Sequence, residues 1–142
     1  MGHIAGANSG NLDLKKRINE LEAEVEELNS KRPVSLYKSI GFTGTTTNYE
    51  LITTVTIPAK SFYVLSAYLN YGNSKPTGVR ICYKNDYQDT AAWQEQDASH
   101  DAYEVHCQTT GYIEAETTFY IFGKWHAAAK NSAYVNGFYI PA

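Results

Sequence analysis

Residues 12–32 read LDLKKRINELEAEVEELNSKR, and this stretch decides how the rest of the chain is interpreted. Apolar residues recur here at alternating spacings of four and three, which is a heptad repeat with positions a and d apolar. Pro33 follows and blocks further helix. The pattern predicts a coiled-coil stalk over residues 12–32, with its seam formed by Leu14, Ile18, Leu21, Val25 and Leu28.

The alternative is an amphipathic helix that packs on its own β domain. Such a helix usually carries a wider apolar stripe than a strict a/d seam. Every position that flanks the seam between Leu14 and Leu28 is polar or small. The narrow seam therefore favours self-association, although a coil with five seam residues is short and needs help from the head.

The oligomer number rests on two opposing signals. β-branched Ile18 and Val25 at a, with Leu at d, favour parallel dimers. Residues 17–22, Arg-Ile-Asn-Glu-Leu-Glu, resemble the trimer-specifying motif Arg-h-x-x-h-Glu, in which h is hydrophobic. The resemblance implies that Arg17 packs over the seam and pairs with Glu22 of a neighbouring helix. We therefore expect a parallel homotrimer.

Composition limits what the remaining chain can do. Residues 1–11 lack the charged and apolar regions of a signal peptide and are expected to form a flexible leader. No apolar run approaches the ~18 residues needed to cross a membrane, so membrane insertion is not expected. The net charge is −3 and no basic patch stands out, which argues against nucleic acid as the partner.

Residues 34–142 change to period-two patterns that are typical of β-strands. Seven or eight short strands in this length predict a mainly β head, a jelly-roll-like β-sandwich. One long strand is expected over residues 112–122, and turns at residues 44–48 and 110–111. Residues 89–98 are ambiguous among helix, strand and loop.

Residues 63–69 and the Tyr-rich final strand are apolar on both faces. The outer face of a lone sandwich is usually polar. We therefore expect this outer face to pack on a neighbouring copy, as in a trimer of sandwiches around a threefold axis.

Cys82 and Cys107 form no zinc-type spacing. Strand alternation puts them among different sets of neighbours, which favours two separate thiols over a disulfide. The histidines show no partnered spacing, and no serine lies in a nucleophile elbow. We therefore expect no catalytic residues, no cofactor and no metal, although a cation site or a solvated loop are both open for the acidic segment 86–116.

Binding is the better-supported activity. Aromatic side chains beside carboxylates and amides suit sugars, because the ring stacks on the apolar sugar face while polar groups bond the hydroxyls. The alternative for Trp93 is a core or trimer-interface residue. The candidate ligand-binding residues are Tyr83, Tyr87, Trp93, Gln94, Asp97, His100 and Asp101.

A trimeric coil followed by a Tyr-rich all-β head resembles the C-terminal receptor-binding heads of phage and prophage tail fibres, and is similar in architecture to C1q and tumour-necrosis-factor-like trimers. Residues 57–67 and 73–78 carry the local resemblance to prophage heads. It implies a non-enzymatic head that binds a cell-surface glycan or protein, on a virion tail fibre or an extracellular surface. A purely structural module that trimerises and caps a fibre is the alternative, and a glycan-cleaving enzyme is a third reading.

Overall fold

The computed structural model describes residues 2–42, 45–70, 77–96, 104–126 and 131–142. It divides into two compact units, Met1–Arg32 and Pro33–Ala142. The first unit contains the helix and the second contains the strands. Each unit is described by itself below.

Helix α1 spans Gly2–Ser30 and therefore begins ten residues before the predicted stalk. Residues 2–11, expected to be a flexible leader, are helical, because extending a formed helix adds a hydrogen bond for each residue fixed. The helix ends two residues before the predicted boundary. The Ser30 hydroxyl bonds the Glu27 carbonyl at 2.6 Å, and the Lys31 amide bonds the Leu28 carbonyl at 3.2 Å.

Within the described residues, the head consists of eight strands. Their bounds are β1 Val34–Phe42, β2 Thr45–Ile57, β3 Ser61–Asn70, β4 Thr77–Cys82, β5 Thr90–Gln96, β6 Glu104–Ile113, β7 Thr117–His126 and β8 Asn131–Pro141. They form two four-stranded antiparallel sheets. The first sheet has the order β1-β8-β3-β6 and the second has the order β2-β7-β4-β5. The predicted β-sandwich is confirmed.

The core lies between the two sheets and follows from strand alternation. In β3, Tyr63, Leu65, Ala67 and Leu69 are buried at every second position. They meet residues of the second sheet such as Ile121 within one buried cluster. Each large aliphatic side chain that is fully buried contributes roughly 2 kcal/mol through removal of its surface from water.

The expected long strand over residues 112–122 is wrong. It is divided into β6 and β7 by a turn at residues 114–116, where the Thr117 hydroxyl bonds the Ala115 carbonyl at 2.9 Å. Glu114 and Glu116 keep this turn exposed to solvent. Apolar residues on both sides of the turn hid it from a pattern based on hydrophobicity.

The turn expected at residues 110–111 is also wrong, since both residues lie inside β6. Gly111 faces Tyr63 of β3, and a Cβ at position 111 would lie 3.2 Å from the Tyr63 hydroxyl. This glycine therefore makes room for a buried aromatic ring and does not bend the chain. Likewise, residues 45–48 belong to β2, and the ambiguous stretch 89–98 contains β5.

Candidate functional site: an aromatic and charged cluster on the head

The predicted ligand residues fall into two groups. Tyr83 and Tyr87 lie on the connection between β4 and β5, and Trp93 and Gln94 lie on β5. The other three, Asp97, His100 and Asp101, lie outside the described residues. Four of the seven can therefore be placed.

Hydrogen bonds within the β4–β5 connection hold it in place. The Tyr83 amide bonds the Asp89 carbonyl at 3.0 Å, and the Gln88 amide bonds Oδ1 of Asp86 at 3.0 Å. The second contact is an Asx-type turn, which fixes the chain locally without a regular strand. This loop holds Tyr87 beside the outer face of the second sheet.

Trp93 is 60% exposed and lies opposite Arg80 in the β4–β5 register. It is therefore not a core residue of its own head, which removes one of its two alternative roles. An exposed indole is a large apolar surface with one N–H donor, and it suits either a ligand or a neighbouring protein surface.

Gln94 has a different environment. Its Oε1 accepts a hydrogen bond of 2.7 Å from the His106 backbone amide. His106 belongs to β6 at the edge of the first sheet, so Gln94 ties the two sheets together along one side of the sandwich. We therefore assign Gln94 to the architecture of the site and not to its binding surface.

Charged residues that sequence reasoning did not select lie next to Tyr87 and Trp93. We call this group the Arg80 cluster: Tyr49, Arg80, Tyr87, Glu95 and Lys124. Glu95 and Lys124 both lie opposite Gly78, on the strands to either side of β4. Strand pairing therefore brings together side chains that are far apart in the sequence.

Arg80 is the centre of this cluster. Its Nη2 pairs with Oε1 of Glu95 at 3.1 Å, and its Nη1 donates to the Tyr87 carbonyl at 2.9 Å. The guanidinium lies 4.1 Å from the centroid of the Tyr49 ring, which is a cation–π distance. Arg80 thereby connects the loop of Tyr87 to the sheet.

Glu95 receives three partners. The Tyr49 hydroxyl and Arg80 donate to it, and Lys124 lies 3.5 Å away. Burial opposes ionisation of this carboxyl, but the two hydrogen bonds and the positive charges outweigh burial and lower its pKa. Glu95 is therefore ionised at neutral pH, and the cluster carries one net positive charge.

Tyr49 is the neutral residue of the cluster that donates a hydrogen bond to Glu95. Burial, followed by its hydrogen bond to Glu95, raises the pKa of its phenol well above the ordinary value. Its ring stacks on Tyr87 with centroids 5.6 Å apart. A Cβ at position 78 would overlap the Tyr49 hydroxyl, so glycine is required there for the phenol to reach Glu95.

The five residues form a network of mutual contacts on the surface of the second sheet. The charged side chains of the Arg80 cluster pair with one another. The groups that remain available for binding are the exposed rings of Trp93 and Tyr87 at the edge of the cluster. In the sequence, one feature points to this cluster, which is the charged residue Arg80 within an otherwise apolar strand. The pairing of Arg80 with Glu95 and Lys124 depends on strand order.

The two cysteines are buried free thiols. Burial raises the pKa of Cys82 to about 11 and that of Cys107 to about 12.

Among the residues that the structure describes, no group of three or more histidines, cysteines and acids is arranged to hold a metal ion. The described part of the chain also contains no helix long and apolar enough to cross a membrane.

The stalk presents a second candidate surface, for self-association. All five seam residues are exposed in the single chain, from 43% for Leu21 to 69% for Leu28. Within this surface, Ile18, Leu21 and Val25 line a shallow apolar groove bordered by Glu22 and Glu26. Arg17 makes a local contact of 3.4 Å with Glu20.

No protein-family model matches the sequence, and no curated protein matches it at a significant level. Among solved structures, the chain is similar to a protein of the Bacillus endospore appendages, described as disulfide-linked pili. The identity is 12% and the TM-score 0.51, and the match covers 78% of this chain and 89% of that one. This similarity is one of fold.

Two phage capsid structures are also similar. One is the capsid of Helicobacter pylori bacteriophage KHP30, at 10% identity and a TM-score of 0.49, over 78% of this chain and 94% of that one. The other is the capsid of cyanophage Pam1, at 19% identity and a TM-score of 0.47, over 78% of this chain and 86% of that one.

Proposed function

We propose that this chain is a non-enzymatic, homotrimeric head of a fibre, which recognises a cell-surface glycan or protein from a virion tail fibre or another extracellular surface. The observation that carries the proposal is the exposed apolar seam of α1. Five large apolar residues on one stripe of the helix are exposed in the single chain, and burying them against copies of the same helix would remove this surface from water, which supports the proposal.

The trimer motif gives Arg17 a second partner. Its contact with Glu20 is between two exposed side chains and contributes little to stability. In a parallel trimer, Arg17 would instead meet Glu22 of the next helix, which lies beside the seam. Loss of the local pair would therefore cost little when Arg17 turns to an interchain partner.

We also infer that the head is a jelly roll. The antiparallel pairs β1–β8, β2–β7, β3–β6 and β4–β5 are the successive pairs of one long hairpin folded over on itself. Wrapping that hairpin places alternate pairs in opposite sheets. This produces the two observed strand orders and agrees with an eight-stranded jelly roll.

The outer face of the first sheet supports contact between heads. Phe62, Tyr112 and Phe138 are exposed there, and the rings of Phe62 and Tyr112 lie 5.0 Å apart. The pairings Phe62–Tyr112 and Val64–Phe138 place them in adjacent rows. An exposed cluster of large aromatic side chains on a sheet face is a typical contact surface between proteins, and we infer that it meets a neighbouring head.

Recognition is assigned to the exposed rings at the rim of the Arg80 cluster. A glycan array and a cell-surface binding assay with the intact protein test it. We expect binding that falls at least tenfold in Trp93→Ala, since a central aromatic anchor is worth a factor of this size. Leu51→Ala, which removes another exposed apolar side chain of the second sheet, is the matched control and should bind normally.

A purely structural capping module is the second candidate. It predicts an intact trimer that binds no array glycan and no cell surface, and this result would reject the recognition role. Release of oligosaccharides from host polysaccharide would instead support an enzyme.

A further inference from the structure

The outer face of the first sheet changes character along its length. Near Val34 it is apolar, as described above. Towards the other end, where β1 reaches Gly41, it contains a recess of about 250 Å³. We call this the tyrosine recess, and it is lined by Tyr37, Tyr68, Glu104, Tyr134 and Asn136.

Strand register explains why these side chains meet. Asn136 lies opposite Tyr37, and Tyr134 lies opposite Tyr68. All of these residues occupy outward positions of their strands, because the alternate residues Leu69, Ala133 and Val135 are buried in the core. The recess is therefore built by four neighbouring strands of one sheet and not by a loop.

The aromatic side chains differ in how firmly they are held. Tyr68 and Tyr134 are half-buried, and Tyr68 stacks on His106 with centroids 5.5 Å apart and planes 21° from parallel. Tyr37 is 68% exposed. The recess thus combines two half-buried rings, one of which stacks on His106, with one exposed ring at its border.

The polar groups of the recess indicate the class of ligand. Three phenol hydroxyls and the Asn136 amide both donate and accept hydrogen bonds, while Glu104 only accepts. The nearby cation Lys38 is directed elsewhere, with its Nζ 2.5 Å from the Thr54 carbonyl. A site with one carboxylate and no cation among its lining residues disfavours an anionic ligand.

We propose that the tyrosine recess binds a neutral sugar ring. Aromatic faces accept the apolar face of a pyranose, and the surrounding hydroxyls, amide and carboxylate bond its hydroxyl groups. The volume is below the ~300 Å³ at which pockets for drug-sized ligands begin, so it suits one sugar unit of a longer chain. A second copy of the head is a poorer occupant, since contact there would bury Glu104.

This inference goes beyond the proposed function, because the recess lies on the opposite sheet from Trp93 and needs neither the seam nor the Arg80 cluster. The test uses the intact protein and saturation-transfer NMR. The probes are the methyl glycosides of glucose, galactose, mannose and N-acetylglucosamine. The methyl glycoside of sialic acid serves as the anionic comparison.

We expect at least one neutral glycoside to bind and the sialoside not to bind. Tyr37→Ala should raise the Kd about tenfold, and Tyr134→Phe, which keeps the ring and removes the hydroxyl, should raise it by a smaller factor. Trp93→Ala should leave this Kd unchanged. Circular dichroism of each variant checks that the head remains folded.

Three results would overturn the inference. They are the absence of a signal for every neutral glycoside, selective binding of the sialoside, and binding that is lost in Trp93→Ala but kept in Tyr37→Ala. The last result would leave the proposed function standing. Conversely, cell binding that is lost in both Trp93→Ala and Tyr37→Ala but normal in Leu51→Ala would support a binding role for both the rim of the Arg80 cluster and the tyrosine recess.

Discussion

Glu95 joins three strands through a single carboxylate, since it contacts Tyr49 of β2, Arg80 of β4 and Lys124 of β7. In the folded head its pKa is lowered from the ordinary value of 4.5. Ionised Glu95 therefore adds stability above about pH 4.5, and this contribution is lost as the pH falls through the lower, folded-state pKa.

We expect Glu95→Gln to lower the melting temperature at pH 7 and to flatten its decline below pH 4.5. Because the side chain is about one-third exposed, the effect is on the order of 1 kcal/mol. Glu116→Gln, in the exposed β6–β7 turn, is the matched control and should keep the wild-type acid profile. Identical acid profiles for wild type and Glu95→Gln would contradict the account.

The buried thiols should be unreactive in the folded head. The thiolate is the reactive form, and burial raises the pKa of Cys82 to about 11 and of Cys107 to about 12. We expect iodoacetamide at pH 8 to label neither residue in the native protein and both in urea, as measured by mass spectrometry. Rapid labelling of the native protein would show that the core is open.

Gly137 has φ of +150° at the centre of β8, and a Cβ there would lie 2.0 Å from the Val64 carbonyl oxygen. Gly137→Ala should therefore reduce the free energy of unfolding by about 2 kcal/mol or more. Gly41→Ala is the control, because a Cβ at position 41 would meet no atom within 4 Å. Equal urea midpoints for the two variants would refute the role of Gly137.

At the scale of elements, the seam is the feature whose disruption is most informative. Leu21 occupies position d, whereas Ala23 lies on the opposite side of the same helix at position f. Leu21→Lys should dissociate the oligomer and reduce the helical signal, because a lone helix with these residues is marginal in water.

Ala23→Lys should preserve both the oligomer and the helical signal. Measurements by circular dichroism and by light scattering after gel filtration compare the two variants. If Leu21→Lys keeps the wild-type mass, the seam is not the contact between chains.

Strands with a strong hydrophobic periodicity are predictable from the sequence, whereas the strands that pair with them in a sheet are not. Alternation revealed β3 because buried Leu65 and Leu69 follow a period of two. The turn at residues 114–116 was hidden because Tyr112 and Ile113 precede it and Phe119 follows it, which looks like one apolar run. Gly111 suggested a turn that does not exist, because this glycine accommodates the Tyr63 ring within a strand.

The residues of the Arg80 cluster were likewise only partly predictable from the sequence. Trp93 and Tyr87 were identified from their residue types and from the loop that contains one of them. Arg80, Glu95 and Lys124 converge only because β4 lies between β5 and β7. No local pattern encodes that order, since it depends on how the whole chain folds.

At the scale of the whole molecule, the proposed functions need different numbers of chains. A single head can bind a sugar in its tyrosine recess, but weakly. Three heads joined by a stalk would bind a repetitive cell surface much more tightly, because the second and third contacts form at high effective concentration. The biological role therefore depends on whether α1 associates.

Sedimentation equilibrium of the intact chain tests this most directly. We predict a solution mass three times the chain mass of 15.9 kDa at micromolar concentration. A mass equal to that of one chain over the same concentration range would contradict the central claim, and a twofold mass would reject the trimer motif in favour of a dimer.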